Sequence, residues 1–259
     1  MSYIRSKAMS AIVWTGIAAI SAITMVSAPN VATAMTVQPV VVDLRTGGRQ
    51  MSALVTVENS FATPLPVELR VREARFELTG LQQTEIESND LLVFPPQALI
   101  PPGQSQSFRI QWVGDPQITG SKHYFITVAQ LPVQLPEGQN AIQILYNFQV
   151  IASVGAAASK PALRVTSATI SPNTAGVGRP VINIENMGAN YGYLADGQVR
   201  IVQKDASGKE VFRRVYSPAE VQQNLGFGLV PAGQKREMTL PIDLPTTEGT
   251  VDVDFTPPR

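Results

Sequence analysis

The 259-residue chain has no cysteine and a single histidine, His123. Without cysteine, disulfides, thiolate metal sites and cysteine nucleophiles are all excluded. A lone imidazole excludes multi-histidine metal sites and leaves a histidine-based triad one candidate base. Charge is scarce and balanced: 15% of residues are charged, with 20 Lys and Arg against 20 Asp and Glu. The electrostatic footprint of a nucleic-acid binder is therefore missing. The sequence holds no Walker loop, dinucleotide fingerprint or Gly-x-Ser-x-Gly elbow, and nothing in it asks for a cofactor or a metal. His123 follows Ser121 and Lys122 at the start of an expected strand and reads as a surface or strand-end residue. No long segment carries a helical period.

What is present begins with an address. Arg5 and Lys7 precede an apolar run over 8–28, Pro29 and Asn30 break it, and Ala32-Thr33-Ala34 forms a small-x-small cleavage site. This is the three-part pattern of a secretory signal peptide. The run approaches the ~20 residues of a membrane span, but its interior Ser, Thr and Gly and the cleavage site favour removal. Cleavage after Ala34 leaves 225 residues starting at Met35, with 18 bases against 20 acids. No later apolar stretch is long enough to span, so no stable membrane insertion is expected of the mature chain.

The remaining sequence reads as strands. Its 20 prolines and 19 glycines separate short alternating runs rich in Val, Ile, Phe and Thr, the signature of a β-sandwich. Strands are predicted over 53–58, 66–72, 107–113, 124–131 and 141–154, then over 162–170, 180–185, 197–203, 210–215, 236–242 and 250–255. One helical turn is predicted over 218–224. Two motifs recur. Ile100-Pro-Pro-Gly-Gln104 returns as Val230-Pro-Ala-Gly-Gln234, 130 residues on, and Val55-Thr-Val-Glu-Asn59 returns as Ile182-Asn-Ile-Glu-Asn186, 127 residues on. The shared order and offset predict two copies of one sandwich. The expected organisation is a leader over 1–34, a first immunoglobulin-like domain over 35–157 and a second over 158–259, joined near the small-residue stretch before Pro161.

Candidate chemistry is thin. Glu85, Glu87 and Asp90 cluster in an expected polar loop, and Asp252 and Asp254 share one face of the last strand. Paired carboxylates can hydrolyse glycosides, yet solvated loop acids and a charged edge strand explain both groups. Trp112, the one tryptophan left after leader removal, alternates with Phe108 and Ile110 and reads as core. The segment with most to say is the last strand of the first half. Ile142, Ile144, Tyr146, Phe148 and Val150 alternate and project to one face. Such a row either fills its own domain's core or is offered to another protein as a surrogate strand.

The run from Leu92 to Ile110 (LVFPPQALIPPGQSQSFRI), then Tyr124-Phe-Ile-Thr-Val-Ala-Gln-Leu-Pro132, then Ile142-Gln-Ile-Leu-Tyr146 resembles the periplasmic pilus-assembly chaperones of the chaperone–usher pathway, the PapD-like family. The likeness extends over nearly all the mature chain, is strongest between Leu92 and Val154, and leans toward the archaic-type branch through Gln130-Leu131-Pro132 and Arg70-Val71. It implies a periplasmic, non-enzymatic protein. Its partners would be pilus or fimbrial subunits, bound by donor-strand complementation, and an outer-membrane usher that receives them. Ile142, Ile144 and Tyr146 match the groove-filling positions, with Phe148 and Val150 continuing the row.

The sequence departs from the family where the subunit's terminal carboxylate is clamped. Ile151 stands where a lysine is expected, the first-strand region near Asp43 offers no clean arginine match, and Phe125 occupies the archaic branch's arginine position. Arg45, Arg109 and Lys122 are the candidate carboxylate anchors. Self-association of the client-free protein would also cover an exposed donor strand. Two other readings remain: an exported structural or adhesive sandwich without a client, and a sandwich hydrolase using Glu85, Glu87, Asp252 and Asp254.

Overall fold

In the computed structural model, which describes residues 34–133 and 143–258, alternation sets the strands and the strands set two cores. The first half contains β1 (Met35–Gln38), β2 (Val41–Arg45), β3 (Ser52–Asn59), β4 (Leu65–Glu77), β5 (Gly80–Glu87), β6 (Leu91–Phe94), β7 (Gln97–Ile100), β8 (Ser105–Trp112), β9 (Ser121–Gln130) and β10 (Asn147–Gly155). One sheet runs β1-β3-β8-β6. The other runs β2-β10-β9-β4-β5, with β7 also on β4. Val55 and Val57 on β3, Phe108, Ile110 and Trp112 on β8, and Tyr124, Ile126 and Val128 on β9 meet between the sheets. Every second residue turns inward, so each sheet contributes one apolar face.

The second half contains β11 (Leu163–Pro172), β12 (Gly178–Asn186), β13 (Gly192–Tyr193), β14 (Gln198–Lys204), β15 (Glu210–Tyr216), α1 (Pro218–Asn224), β16 (Leu229–Val230), β17 (Lys235–Thr239) and β18 (Thr250–Thr256). The sheets β11-β12-β17 and β15-β14-β18 enclose a separate core around Ile182, Ile184, Val199, Ile201 and Val253. The protein is thus all-β, two tandem immunoglobulin-like sandwiches. The helix α1 occupies the predicted turn. Ser217 caps it, and the Glu220 carboxylate accepts from the Ser217 backbone in return.

The repeated motifs prove to be one device built twice. Asn59 and Asn186 are both buried at the end of a strand. The Asn59 side-chain amide donates to Ile100 O at 2.9 Å, and that of Asn186 donates to Val230 O at 3.0 Å. Each asparagine's backbone N–H donates to the glutamine that follows the turn glycine, Gln104 O and Gln234 O, at 2.9 Å in both halves. The glycine must take φ of +69° at Gly103 and +68° at Gly233, a left-handed conformation that other residues resist.

Several elements depart from expectation. The acids Glu85 and Glu87 lie on strand β5, not in a loop, and Arg72 pairs with Glu85 at 2.9 Å. The strand predicted to run to residue 242 stops at Thr239, just before Pro241, which has no N–H for a ladder. His123 is buried, 7% exposed, and not on the surface. Its ring nitrogens lie 3.0 Å from Ser121 Oγ and 2.9 Å from Ser153 Oγ, and the edge of Tyr191 packs against it.

His123 belongs to the junction between the sandwiches. Tyr193 Oη donates to Asp43 Oδ1 at 2.6 Å, Ala232 N–H to Ser121 Oγ at 3.2 Å, and Glu237 N–H to Leu78 O at 2.8 Å. Around these bonds Tyr191, Tyr193 and Leu229 pack with Val41 and Leu81. The apolar contact encloses the buried pair His123 and Ser153, whereas Asp43, Leu78 and Glu237 lie at its exposed rim.

Candidate functional site

Strand β10 is paired unequally along its two edges. On one side it runs antiparallel to β9 from Asn147 opposite Ala129 to Gly155 opposite Ser121. On the other side β2 lies parallel to it only from Ile151, opposite Val41, to Gly155, opposite Arg45. The last bond on that side is Ile151 N–H to Val40 O, 3.0 Å. Before Val40 comes Pro39, and β1 then joins the other sheet, pairing with β3. Among the described residues no strand covers the outer edge of Asn147–Val150. Because main-chain groups alternate in direction, the N–H and C=O of Asn147 and Gln149 point to this vacant side.

The predicted apolar row changes character along this edge. Val150 is fully buried in the first core, and Phe148 packs against that core in part. Tyr146 is 43% exposed, with its ring centroid 5.9 Å from Phe61, and Ile144 is 71% exposed. Ile142 lies outside the described residues. The expectation of one regular strand from 141 to 154 is corrected: residues 143–146 carry no ladder, and β10 begins at Asn147. The physical reason is Pro132. Continuing the register sets Ile144 opposite Pro132, which has no N–H to offer.

The three candidate anchors fall in three places. Arg109 lies on the outer face of the four-stranded sheet, opposite Leu54 and Phe94, and donates to Ser52 Oγ at 3.3 Å. Lys122 is already paired: its Nζ is 2.8 Å from Asp90 Oδ2, which also accepts from Tyr124 Oη at 2.6 Å. Burial opposes ionisation of Asp90, yet those two donors hold its carboxyl below the usual carboxylate range. Arg45 on β2, opposite Gly155, and Lys122 on β9, opposite Val154, both flank the far end of β10. Of these two, Arg45 has no carboxylate partner among the described ion pairs. Its guanidinium sits 5.9 Å above the Tyr191 ring centre and donates to Ala156 O at 3.4 Å.

Other groups supply little chemistry. Among the described residues no group of three or more His, Asp or Glu could hold a metal ion, and no helix is long and apolar enough to cross a membrane. Asp252 and Asp254 alternate outward on β18, and the latter pairs with Arg200. Sequence reasoning missed the junction network, because Ser121, Ser153 and Asp43 are unremarkable until the fold brings them to His123 and Tyr193. The open edge left by the strand switch at Pro39 was missed as well.

The molecule is therefore a pair of immunoglobulin-like sandwiches in whose first member, among the described residues, half of one strand edge has no pairing strand and part of an apolar row is exposed. No family model matches the chain, and no curated protein sequence is similar to it. Solved structures do share its fold. The class 5 fimbriae chaperone CfaA superposes with a TM-score of 0.50 at 14% identity, covering 86% of this chain and 92% of that one. The YadV chaperone gives 0.50 at 13% identity, covering 85% and 91%. A chain of the Salmonella enterica SafA pilin–SafB chaperone complex gives 0.50 at 16% identity, covering 81% and 85%. The likeness read from the sequence to pilus-assembly chaperones is thus matched by a likeness of fold.

Proposed function

We propose that this chain is an exported, periplasmic chaperone, without catalysis, that binds pilus or fimbrial subunits by lending them the open edge of β10 and passes them to an outer-membrane usher. The observation that carries the reading is the coincidence of exposed Ile144 and Tyr146 with a strand edge that is unpaired among the described residues. An incoming subunit strand would bond to the vacant main-chain groups, and Ile142, Ile144 and Tyr146 would fill an apolar groove in the subunit. Each apolar side chain so buried contributes ~1.5–3 kcal/mol before ordering costs. Phe148 and Val150 keep the strand rooted in its own core, so the lent segment has a fixed base. Arg45, beside the far end of β10, is the favoured carboxylate anchor, since Lys122 is neutralised by Asp90 and Arg109 belongs to the other sheet.

The test is capture. The tagged mature protein isolated from periplasm is expected to retain a small exported β-rich subunit near one-to-one, and Ile144→Arg is expected to lose it, because a guanidinium enters an apolar groove only at high cost. Retention by Ile144→Arg would overturn the register. No partner, with fibre subunits demonstrably expressed, would leave a self-sufficient exported sandwich.

A further inference from the structure

The β9–β10 ladder does not simply end where Pro132 interrupts it. Continuing the register beyond Asn147 opposite Ala129 sets Tyr146 opposite Gln130, Ile144 opposite Pro132 and Gln143 opposite Val133. At the first of these positions Gln130 N–H donates to Tyr146 O at 2.9 Å, while Tyr146 N–H donates to the side-chain oxygen of Gln130 at 3.2 Å. At the second, proline offers no donor. At the third, Gln143 Nε2 donates to Val133 O at 2.7 Å, and Val133 N–H donates to Gln143 Oε1 at 3.3 Å. A primary amide presents one donor and one acceptor side by side, the same pair that a backbone residue presents to a ladder. The Gln130 side chain thus stands in for a main-chain acceptor before the proline, and beyond it, at a pair where a regular ladder has no main-chain bonds, the Gln143 side chain supplies two.

We propose that Gln130 and Gln143 are positioning residues that hold segment 143–146 extended beside 130–133, so that Ile144 and Tyr146 stand ready with no described strand on their outer edge. The inference rests on the strand-donation reading above. A fully regular ladder would pair this segment as rigidly as the rest of β10, and an unpaired one would have to be ordered at each encounter. The glutamine pair gives a third arrangement, an ordered strand held by exposed bonds to a single neighbour. Pre-ordering of this kind acts mainly on the association step, because it removes ordering cost before contact.

The experiment compares wild type with Gln130→Ala and Gln143→Ala in two measurements. The first is amide hydrogen exchange of the client-free protein. Gln143→Ala is expected to speed exchange at Tyr146, whose amide it does not touch, by about fivefold, the scale set by loss of an exposed hydrogen bond, with Val150 unchanged. The second is capture of the subunit retained by wild type, diluted from urea. Association is expected to slow about fivefold, while melting temperature and the lifetime of the formed complex stay at wild-type values. Unchanged Tyr146 exchange, or unchanged capture by a variant when wild type captures, would overturn the positioning role alone. A lowered melting temperature would assign the glutamines to fold stability instead. A wild type that captures nothing would remove strand donation itself, and this inference with it.

Discussion

The two sandwiches close the same lock and finish their last strands in opposite ways. In each, a buried asparagine ties a strand end to a Pro-x-Gly turn through bonds that agree within 0.1 Å, 2.9 against 3.0 Å to the turn's leading carbonyl. The final strand of the second sandwich, β18, buries Val251 and Val253 and turns Asp252 and Asp254 to solvent. The corresponding segment of the first buries Val150 and exposes Ile144 and Tyr146. Sandwich architecture therefore does not require an exposed apolar row. The second half shows the ordinary solution, a charged outer face, and the first half abandons it over a few residues where the neighbouring strand has also been withdrawn. Two independent departures at one edge support the proposed interaction surface more firmly than either alone.

The largest effect that separates the two ends of that row should come from Val150→Arg. A charge placed in the first core without a partner is expected to cost about 4 kcal/mol or more, enough to leave the first sandwich unfolded by far-UV circular dichroism. A folded Val150→Arg protein would mean that the row is free along its whole length.

Next comes the lock itself. Asn186→Ala removes two donated bonds, to Asn190 O and Val230 O, and two accepted ones, from Ala162 N–H and Gly188 N–H. Asn59→Ala removes donations to Thr63 O and Ile100 O and an acceptance from Phe61 N–H. Leaving these buried groups unsatisfied is expected to destabilise the protein by about 3 kcal/mol for Asn186 and about 2 kcal/mol for Asn59, read from urea denaturation. Equal and negligible losses would show that the shared geometry carries no shared energy.

A smaller effect tests the junction. Burial pushes His123 down to about 4 from its ordinary 6.5. The unfolded chain therefore takes up this proton at higher pH than the folded one. The neutral imidazole's contribution is fully present above pH 6.5 and is lost as pH falls toward 4. Lowering pH from 7 to 5 should cost about 2 kcal/mol at about 1.4 kcal/mol per unit, and His123→Gln should flatten the dependence. Asp90, held low, loses its contribution only at more acid pH, as its carboxylate is protonated. A wild-type stability flat between pH 7 and 5 would show that His123 is not sealed in the folded protein.

These particulars also show what the sequence could and could not reveal. Alternation located the predicted strands, that over 141–154 only from Asn147, since a buried face must repeat with period two, and the helical turn predicted over 218–224 is α1. The strands β1, β2 and β5–β7 were illegible because they are short or carry polar residues such as Gln82, Gln83, Thr84 and Glu85. The sequence presents Ile142 to Val150 as one alternating row. Its division into a rooted and a free part was hidden, because it depends on Pro39 and Pro132, residues of two other segments. His123 was misread for the same reason: its burial is made by Tyr191 of the second sandwich, and nothing in the local sequence signals a neighbour 68 positions away.

The smallest expected effect is the most discriminating. Ile144→Arg replaces a side chain that is already 71% exposed, on a segment outside the regular ladder. Long charged side chains at such positions reach water freely, so stability should stay within about 0.5 kcal/mol of wild type. The same substitution six residues along the row, at Val150, is expected to unfold the first sandwich. If Ile144→Arg were to lose stability by as much as Asn59→Ala, then Ile144 would belong to its own domain's packing, and the open edge of β10 would be a gap closed from within. If stability holds while capture is lost, the row is shown to work outward, and the contrast with β18 becomes a difference in purpose between two copies of one fold.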